Sequence, residues 1–174
     1  QHGYTGASLS VILSRSEISK GALYHHFANK QALGYAVLEE VFTPMFIGSW
    51  QQALEGDDPI EGMCRLLSDM AENADSEELS CGCPMNNLSQ EMAAIDEGFR
   101  LRVFAMYQQL NQLIVEALTG IEPQLKPGLK LEQVAYFIIA SIQGAASLAK
   151  SSRCCRLFGN LLDELQNYIR GLRV

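Results

Sequence analysis

The chain has 174 residues, of which 48% are hydrophobic and 19% are charged. This length fits one domain of ordinary size or a small domain joined to a larger one, and the composition excludes a disordered chain. The longest unbroken apolar run covers residues 134–140. Since a membrane helix needs roughly 20 apolar residues, we expect no membrane partner. The sequence does not open with a basic region followed by an apolar block, so we also expect no signal peptide and a cytoplasmic location.

Charge is distributed unevenly along the chain. The formal net charge is −7, yet residues 1–30 carry three basic side chains against one acidic side chain. Residues 31–174 carry ten basic and nineteen acidic side chains. A basic N-terminal segment on an acidic body indicates that only this segment meets a polyanion.

The chain has five cysteines, at Cys64, Cys81, Cys83, Cys154 and Cys155. An odd number, with two of them adjacent, is a poor disulfide framework, and reduced thiols are the expectation. The C-x-C spacing of residues 81–83 differs from the C-x₂-C of structural zinc sites, and all three histidines lie before residue 27. We therefore expect no metal site and no cofactor.

Apolar residues recur at helical spacing along the chain, and this pattern predicts an all-α fold. Near the N-terminus, Ser8 can cap a first short helix, and a second begins at about Ser19. Asn29 caps a third helix that runs to about Leu54. A kink is expected around Glu40 to Pro44, because Pro44 lacks a backbone N–H and clashes with the carbonyl four residues back. The apolar stripes of these helices contain Leu9, Ile12 and Leu13, then Leu23, Tyr24 and Phe27, then Leu33, Val37, Leu38 and Val41.

Five further helices are predicted beyond Gly56. The third of them has apolar residues, Phe104 among them, around much of its circumference, so it should be central and buried. Gly120 is its predicted C-cap. The first two of the five helices start at Asp58-Pro59 and at Pro84, and residues 75–80 form the loop between them. The other three run from about Asp96 to Thr119, from about Leu131 to Lys150 and from about Cys155 to Gly171.

Residues 3–33 have the pattern of a helix-turn-helix, in which two short helices joined by a polar turn precede a longer one. In this motif the second short helix enters the DNA major groove. Ser19-Lys20-Gly21-Ala22 places small and basic residues at the start of that helix. Tyr24, His25 and Lys30 can donate hydrogen bonds to phosphates, which position a helix without reading the base sequence.

This stretch resembles the DNA-binding domain of the TetR/AcrR family of bacterial transcriptional regulators. The resemblance implies an all-helical homodimer whose C-terminal domain binds a small effector and whose paired heads bind a palindromic operator. It also implies phosphate contacts for Ser8, Tyr24 and Lys30, groove-facing positions for Ser19, Lys20, Ala22 and His25, and close approach at Gly21. The matching residues are Gly3-Tyr4, Ser8, Ile12, Ile18-Ser19-Lys20-Gly21, Leu23-Tyr24-His25-His26-Phe27, Lys30 and Leu33.

Two features depart from the family pattern. Glu17 stands in the turn where members usually have glycine, which places an acid near DNA. The family's first helix normally lies ahead of Gly3, and we expect it to precede the present residues in the native chain. The predicted domains are a helix-turn-helix DNA-binding domain over residues 1–42 and an effector-binding and dimerisation domain over residues 43–174.

A shorter resemblance concerns the effector. Cys81-Gly82-Cys83, Leu88 and Glu91 resemble the Gly-Cys…Leu-x-x-Glu segment of the NemR-like, electrophile-responsive branch of the family, and Ala149-Lys150 also matches. Cys83 lies directly before a predicted helix start, and a helix N-terminus or a nearby lysine such as Lys150 makes a thiol more reactive. One hypothesis is therefore that Cys83 is an activated thiol that senses electrophiles. A small buried side chain is the alternative.

The C-terminal domain can instead hold a non-covalent effector in a pocket with a few polar groups. The predicted helix from about Leu131 to Lys150 has apolar residues on more than one face, and together with the last predicted helix it is the candidate dimer interface. Core packing inside one chain is the alternative for both sets of residues. The candidate pocket residues are Met63, Met70, Phe99, Phe104, Met106, Tyr107, Tyr136 and Gln143, and the candidate interface residues are Ile138, Ile142, Ala145, Leu161, Leu165 and Tyr168.

An effector-responsive DNA-binding regulator, acting as a repressor, is the function that these patterns favour. A helical protein-interaction module without DNA binding is the alternative, and the acidic total charge favours it. A thiol-dependent enzyme is a weaker alternative, because it would need Cys83 to lie near His25 or His26 in the other domain. We therefore expect no catalytic residues.

Overall fold

The computed structural model describes residues 3–16, 18–74 and 81–174, and each helix predicted from the sequence is present in these ranges. An isolated β-bridge between Leu125 and Arg173 is the one pairing of extended backbone within them. The all-α prediction is confirmed. In chain order the helices are α1 (Gly3–Gly6), α2 (Leu9–Ser16), α3 (Lys20–His26), α4 (Lys30–Ala36), a π-helical segment (Val37–Phe42), α5 (Thr43–Leu54), α6 (Pro59–Glu72), α7 (Pro84–Met92), α8 (Glu97–Gly120), a 3₁₀ turn (Glu122–Gln124), α9 (Leu131–Ser152) and α10 (Cys155–Arg170).

Side-chain caps fix where several helices begin. Asn29 Oδ1 accepts a hydrogen bond from the Ala32 N–H at 2.8 Å, and Asp96 Oδ1 accepts one from the Phe99 N–H at 3.0 Å. Such a cap satisfies a backbone donor that the first helical turn leaves free, so α4 and α8 start directly after these residues.

The end of α8 differs from the prediction by one residue. Gly120 is the last residue of the helix, and Ile121 is its C-cap. Gly120 does not take the left-handed conformation that makes glycine favourable at a C-cap, so the predicted capping role was wrong.

The long helix that follows Asn29 is deformed close to the predicted position. Residues Val37–Phe42 are π-helical, and both the N–H and the hydroxyl of Thr43 donate to the Leu38 carbonyl oxygen, the hydroxyl at 2.8 Å. Pro44 supplies no N–H, and its ring crowds the carbonyl four residues earlier, so the regular α-helical pattern cannot continue through this turn. The π-helical segment therefore joins α4 to α5 without a break.

The core is built around α8, which packs against α5, α7 and α9, while α6 and α10 pack against each other. Phe104, predicted to be buried, is 47% exposed. The apolar residues of α8 extend past its buried face, so the sequence pattern alone does not show where burial ends. The largest fully buried side chains include Trp50, Ile60, Met63, Leu67, Phe99, Met106, Leu110, Ile114, Leu118 and Ile138.

Helix α9 is long and apolar enough to span a bilayer by length and composition alone. Core helices of globular proteins pass the same test, and eight side chains of α9 are buried within this structure. In this fold α9 is therefore part of the core. The predictions made for Glu17 and for the loop at residues 75–80 lie outside the described residues.

Candidate functional site

Helices α2 and α3 form the predicted helix-turn-helix. Ser8 Oγ accepts a hydrogen bond from the Val11 N–H at 3.3 Å, and Ser19 Oγ accepts one from the Ala22 N–H at 3.1 Å. Both serines therefore act as N-caps, which fixes the starts of the two helices. Leu23 is 4% exposed and anchors α3 to the rest of the head.

The outer face of α3 carries the residues predicted to meet DNA. Lys20, Gly21, Tyr24 and His25 are exposed, while Ala22 is half-buried. The Lys20 ammonium lies 5.9 Å from the centre of the Tyr24 ring. At Gly21 an added Cβ would meet only the Ser19 hydroxyl, at 3.9 Å, so another molecule can approach the backbone closely. This face offers a cation, a phenol and an imidazole around an open backbone.

Lys30, which was also predicted to contact DNA, lies on α4 and not on the outer face of α3. Its ammonium donates to the Thr5 carbonyl oxygen at 3.2 Å and lies 4.5 Å from the centre of the Tyr4 ring. The side chain is half-buried and ties α4 to α1 inside the head. In this structure its partners are therefore groups of the protein itself.

The second predicted site is at the start of α7, where Cys83 is the N-cap residue and Pro84 the first helical residue. The Lys150 ammonium donates to Asn87 Oδ1 at 2.9 Å, and Asn87 Nδ2 donates to the Cys81 carbonyl oxygen at 2.6 Å. The structure therefore brings Lys150 to the segment that holds Cys83, although these residues are far apart in sequence.

Gly82 allows this approach. Its φ is +71°, and an added Cβ would lie 2.9 Å from Lys150 Cδ. Since only glycine adopts this conformation without strain, residue 82 permits both the turn and the passage of the lysine side chain. The Tyr107 phenol is close enough to Cys83 to interact with it. Burial is the main cause that raises the pKa of Tyr107 above its ordinary value, and the Cys83 thiol is the second cause.

The predicted pocket residues are mostly core. Met63 and Met106 are fully buried, and Tyr107, Tyr136 and Gln143 are half-buried. Gln143 Oε1 is buried and has no hydrogen-bond partner among the described residues. A cleft of about 270 Å³ lies instead between α5 and α8 and includes none of the predicted residues. It is lined by Gln51, Leu54, Glu55, Leu113, Glu116 and Ala117.

Trp50 was missed by the sequence reasoning. Its side chain is completely buried, yet its indole N–H has no partner among the described residues. A buried polar atom without a partner is costly, and such atoms mark places where water or a ligand completes the hydrogen bonding. The sequence signal for Trp50 was weak, because a single tryptophan in an apolar stripe is indistinguishable from core.

The candidate dimer face is an apolar groove between α9 and α10 with a volume of about 340 Å³. Ile138 and Ile142 are buried toward the core and do not line this groove. Phe137 and Leu148, which the sequence reasoning did not select, are 51% and 54% exposed. The groove residues are Phe137, Ser141, Gly144, Ala145, Leu148, Leu161, Glu164, Leu165 and Tyr168.

Metal chemistry has no visible site in the described ranges. No group of three or more His, Cys, Asp or Glu side chains within them is placed to hold a metal ion. The five cysteines are all free thiols, with Cys64 buried and the other four half-buried.

Comparison with known proteins gives the family. Residues 59–159 match the family model described as "Transcriptional regulator LmrA/YxaF-like, C-terminal domain", and residues 1–37 match "Bacterial regulatory proteins, tetR family". The chain is 28% identical to an uncharacterized HTH-type transcriptional regulator of Lactococcus lactis subsp. lactis, over 94% of the chain and 83% of that protein. It is 29% identical to the transcriptional repressor NemR of Escherichia coli strain K12, over 97% of the chain and 86% of NemR.

Two solved structures have the same fold. The reduced form of E. coli NemR superposes with a TM-score of 0.80 at 26% identity, covering 94% of this chain and 87% of that one. A cysteine mutant of the TetR family regulator CifR, solved with a 26-bp double-strand operator DNA, superposes with a TM-score of 0.80 at 21% identity, covering 95% and 88%. The relatives are transcriptional regulators and not enzymes. Together with the exposed face of α3, these matches identify the chain as a DNA-binding transcriptional regulator of the TetR family.

Proposed function

We propose that this regulator is a cytoplasmic repressor that binds a palindromic operator as a homodimer and leaves it when an effector binds or an electrophile reacts with Cys83. The observation that carries the proposal is the outer face of α3. Its caps and buried Leu23 hold the helix in place, while Lys20, Tyr24 and His25 point to solvent. The repressors NemR and DhaR, of Mycobacterium sp. strain GP1, are among the relatives by sequence.

The charge of the head supports DNA as the partner. Lys20 is exposed in a segment with a net positive charge, whereas the body of the protein is acidic. Phosphate contacts release counterions, so DNA affinity should fall steeply as the salt concentration rises. A protein-interaction module of the same fold would not show such a dependence on a duplex.

Lys20→Ala is expected to weaken binding to every duplex and to reduce the slope of log affinity against log salt by about 1. The reason is the loss of one exposed cation from the face of α3 that meets DNA, so that fewer counterions are released on binding. The measurement is fluorescence anisotropy on the DNA upstream of the gene over a series of salt concentrations. Lys126→Ala, which removes the same charge from an exposed loop of the body, is the matched control. An unchanged slope for Lys20→Ala would remove Lys20 from the DNA interface.

The groove between α9 and α10 supports a homodimer. The exposed Phe137 and Tyr168 rings contact each other at a tilt with their centres 4.7 Å apart, and Leu148 lies exposed in the same groove. Large exposed apolar side chains in one groove are typical of an interaction surface. A second copy offers the same two helices, so two copies related by a two-fold axis would bury both grooves in one four-helix interface.

The surroundings of Cys83 support electrophile sensing. The Cys83 thiol begins α7, and the Lys150 side chain passes over the neighbouring Gly82. With N-ethylmaleimide as the electrophile, the sulfur forms a bond to one alkene carbon, and the other alkene carbon takes up a proton in place of the one the thiol loses. The added bulk would lie at the start of α7, in the segment where Lys150, Asn87 and Cys81 are hydrogen-bonded, and it would displace this helix start.

For Cys83→Ser we expect operator binding that N-ethylmaleimide leaves unchanged, whereas the wild-type affinity should fall by at least about tenfold. The serine keeps the size of the side chain and removes the nucleophile. Cys155→Ser, which replaces another half-buried thiol, is the control and should respond as the wild type does. Equal loss of binding in wild type and Cys83→Ser would mean that a group other than Cys83 reacts. Wild-type binding that N-ethylmaleimide leaves unchanged would instead favour a non-covalent ligand with a hydrogen-bond donor, because the buried Gln143 Oε1 has no hydrogen-bond partner among the described residues.

A further inference from the structure

The DNA-binding head meets the body of the protein in a joint between α4, α1, α7 and the start of α8. Two glycines make the contact close. An added Cβ at Gly34 would lie 2.7 Å from both the Phe99 and the Tyr4 rings, and one at Gly98 would overlap with the Tyr35 hydroxyl. The Tyr4 and Tyr35 rings both pack edge-on against Phe99, with centres 4.7 Å away. We call this contact the head–body joint.

Two carboxylates of the body hold the head at this joint. Glu91, on α7, accepts hydrogen bonds from the backbone N–H groups of Tyr4 at 2.8 Å and Thr5 at 2.6 Å. Asp96, before α8, accepts from the Tyr35 hydroxyl at 2.7 Å and from the Gln31 amide at 2.5 Å. The joint is therefore fixed by charged acceptors and oriented donors, in addition to apolar packing.

Of the two carboxylates, Glu91 constrains the orientation of the head more tightly than Asp96 does. Both of its oxygens accept from successive backbone groups, which fixes position and direction together. Hydrogen bonds from the Thr5 side chain and from the backbone at Thr5 and Tyr4 hold the pKa of Glu91 below its usual value, so the group is ionised at neutral pH. Lys30 completes the arrangement, because it donates to the Thr5 carbonyl oxygen.

The same helix connects this joint to the segment around Cys83. Helix α7 has nine residues, with Cys83 before its start and Glu91 in its last turn. Near its start, Asn87 accepts from Lys150, and Asn86 donates to the Ser147 hydroxyl at 2.7 Å, both on α9. A short helix held at both ends moves as one body, so a displacement at the start of α7 displaces the carboxylate of Glu91.

We propose that Glu91 is a positioning residue that fixes the orientation of the DNA-binding head relative to the body and thereby restricts the half-site spacing that the dimer accepts. Glu91 itself contacts no phosphate in this scheme and acts through the backbone at Tyr4 and Thr5. The proposal rests on the proposed function, because a spacing requirement exists only for a dimer on a two-part operator.

The test compares Glu91→Gln with Glu97→Gln in the full-length gene product. Glu97 is an exposed carboxylate that pairs with Arg100 on its own helix and makes no hydrogen bond to the head among the described residues, so it is the matched control. Anisotropy is measured on the operator and on the same operator with one base pair inserted between the half-sites. The wild type should discriminate strongly between the two duplexes. Glu91→Gln should lower that ratio by at least about fivefold, because a loosened head can adapt to the altered spacing.

Two further readouts separate positioning from simple stabilisation. The salt dependence of binding should stay the same in Glu91→Gln, since no phosphate contact is lost. A merely structural role would lower the melting temperature and leave the spacing ratio of the folded variant unchanged. If Glu91→Gln is unfolded at the assay temperature, Tyr35→Phe removes only the hydroxyl that donates to Asp96, and it should lower the ratio in the same direction.

The outcomes are distinct. A lowered spacing ratio with an unchanged salt slope supports the positioning role. Wild-type discrimination that persists fully in Glu91→Gln and Tyr35→Phe overturns it while the proposed function stands. Failure of the wild type to bind the operator at all overturns the proposed function and the positioning role together.

Discussion

Phe99→Ala is expected to lower the free energy of unfolding by about 3–5 kcal/mol, the range for removal of a large aromatic side chain from a core. Phe99 is 1% exposed and lies between the Tyr4 and Tyr35 rings at the head–body joint. The truncation would remove its packing inside the body and also the surface on which the head rests. Urea denaturation followed by circular dichroism measures the loss.

Phe104→Ala is the matched control on the same helix. Phe104 is 47% exposed, so its truncation should change the free energy of unfolding by about 0.5 kcal/mol or less. A similar loss for the two variants would contradict the burial that the structure assigns to them. Phe99→Ala could also lower the free energy of unfolding while binding the operator as tightly as the wild type at a temperature where it is folded. That result would argue against a role of the head–body joint in DNA binding.

Gly62→Ala is expected to destabilise the protein by about 3 kcal/mol or more, at the upper end of overpacking effects. A Cβ at this position of α6 would overlap with the Ala53 carbonyl oxygen of α5. Since that atom belongs to the backbone, no side-chain rotation relieves the overlap, and the two helices must move apart. Thermal and urea denaturation measure the effect.

Gly48→Ala, on α5, has the opposite expected sign. An added Cβ there meets nothing within 4 Å, so the alanine should stabilise the helix by about 0.5–1 kcal/mol. The pair separates a helix-propensity effect from a packing effect, because both substitutions add one methyl group to a helix interior. Stabilisation by Gly62→Ala would contradict the close approach of α5 and α6.

Local chemistry explains why much of the fold was predictable. Asn29 caps its helix as the sequence indicated, and the helices predicted to start at Asp58 and Asp96 do begin directly after these residues, because helix starts depend on only three or four neighbouring residues. Pro44 likewise led to the correct expectation of a deformed helix, since its missing N–H acts within one turn. The helix-turn-helix followed from the same local signals at Ser8 and Ser19.

Contacts between distant segments were not predictable in the same way. Helix α9 has apolar residues on several faces, so the sequence pattern selected Ile138 and Ile142 for the dimer face, whereas Phe137 and Leu148 line the groove. The hydrogen bonds of Glu91 to the N-terminal backbone connect residues more than 80 positions apart. No periodicity or spacing rule reports such a pairing, nor the hydrogen bond from Lys30 to the Thr5 carbonyl oxygen.

The most direct test of operator binding is the stoichiometry and salt dependence of binding to the gene's own upstream DNA. The full-length gene product would be titrated onto that duplex and onto a scrambled duplex of equal length, with fluorescence anisotropy as the readout. Two chains per duplex, a clear preference for the upstream DNA and an affinity that falls steeply with salt are the predicted result. Equal, weak binding to both duplexes at every salt concentration would contradict operator recognition by the exposed face of α3.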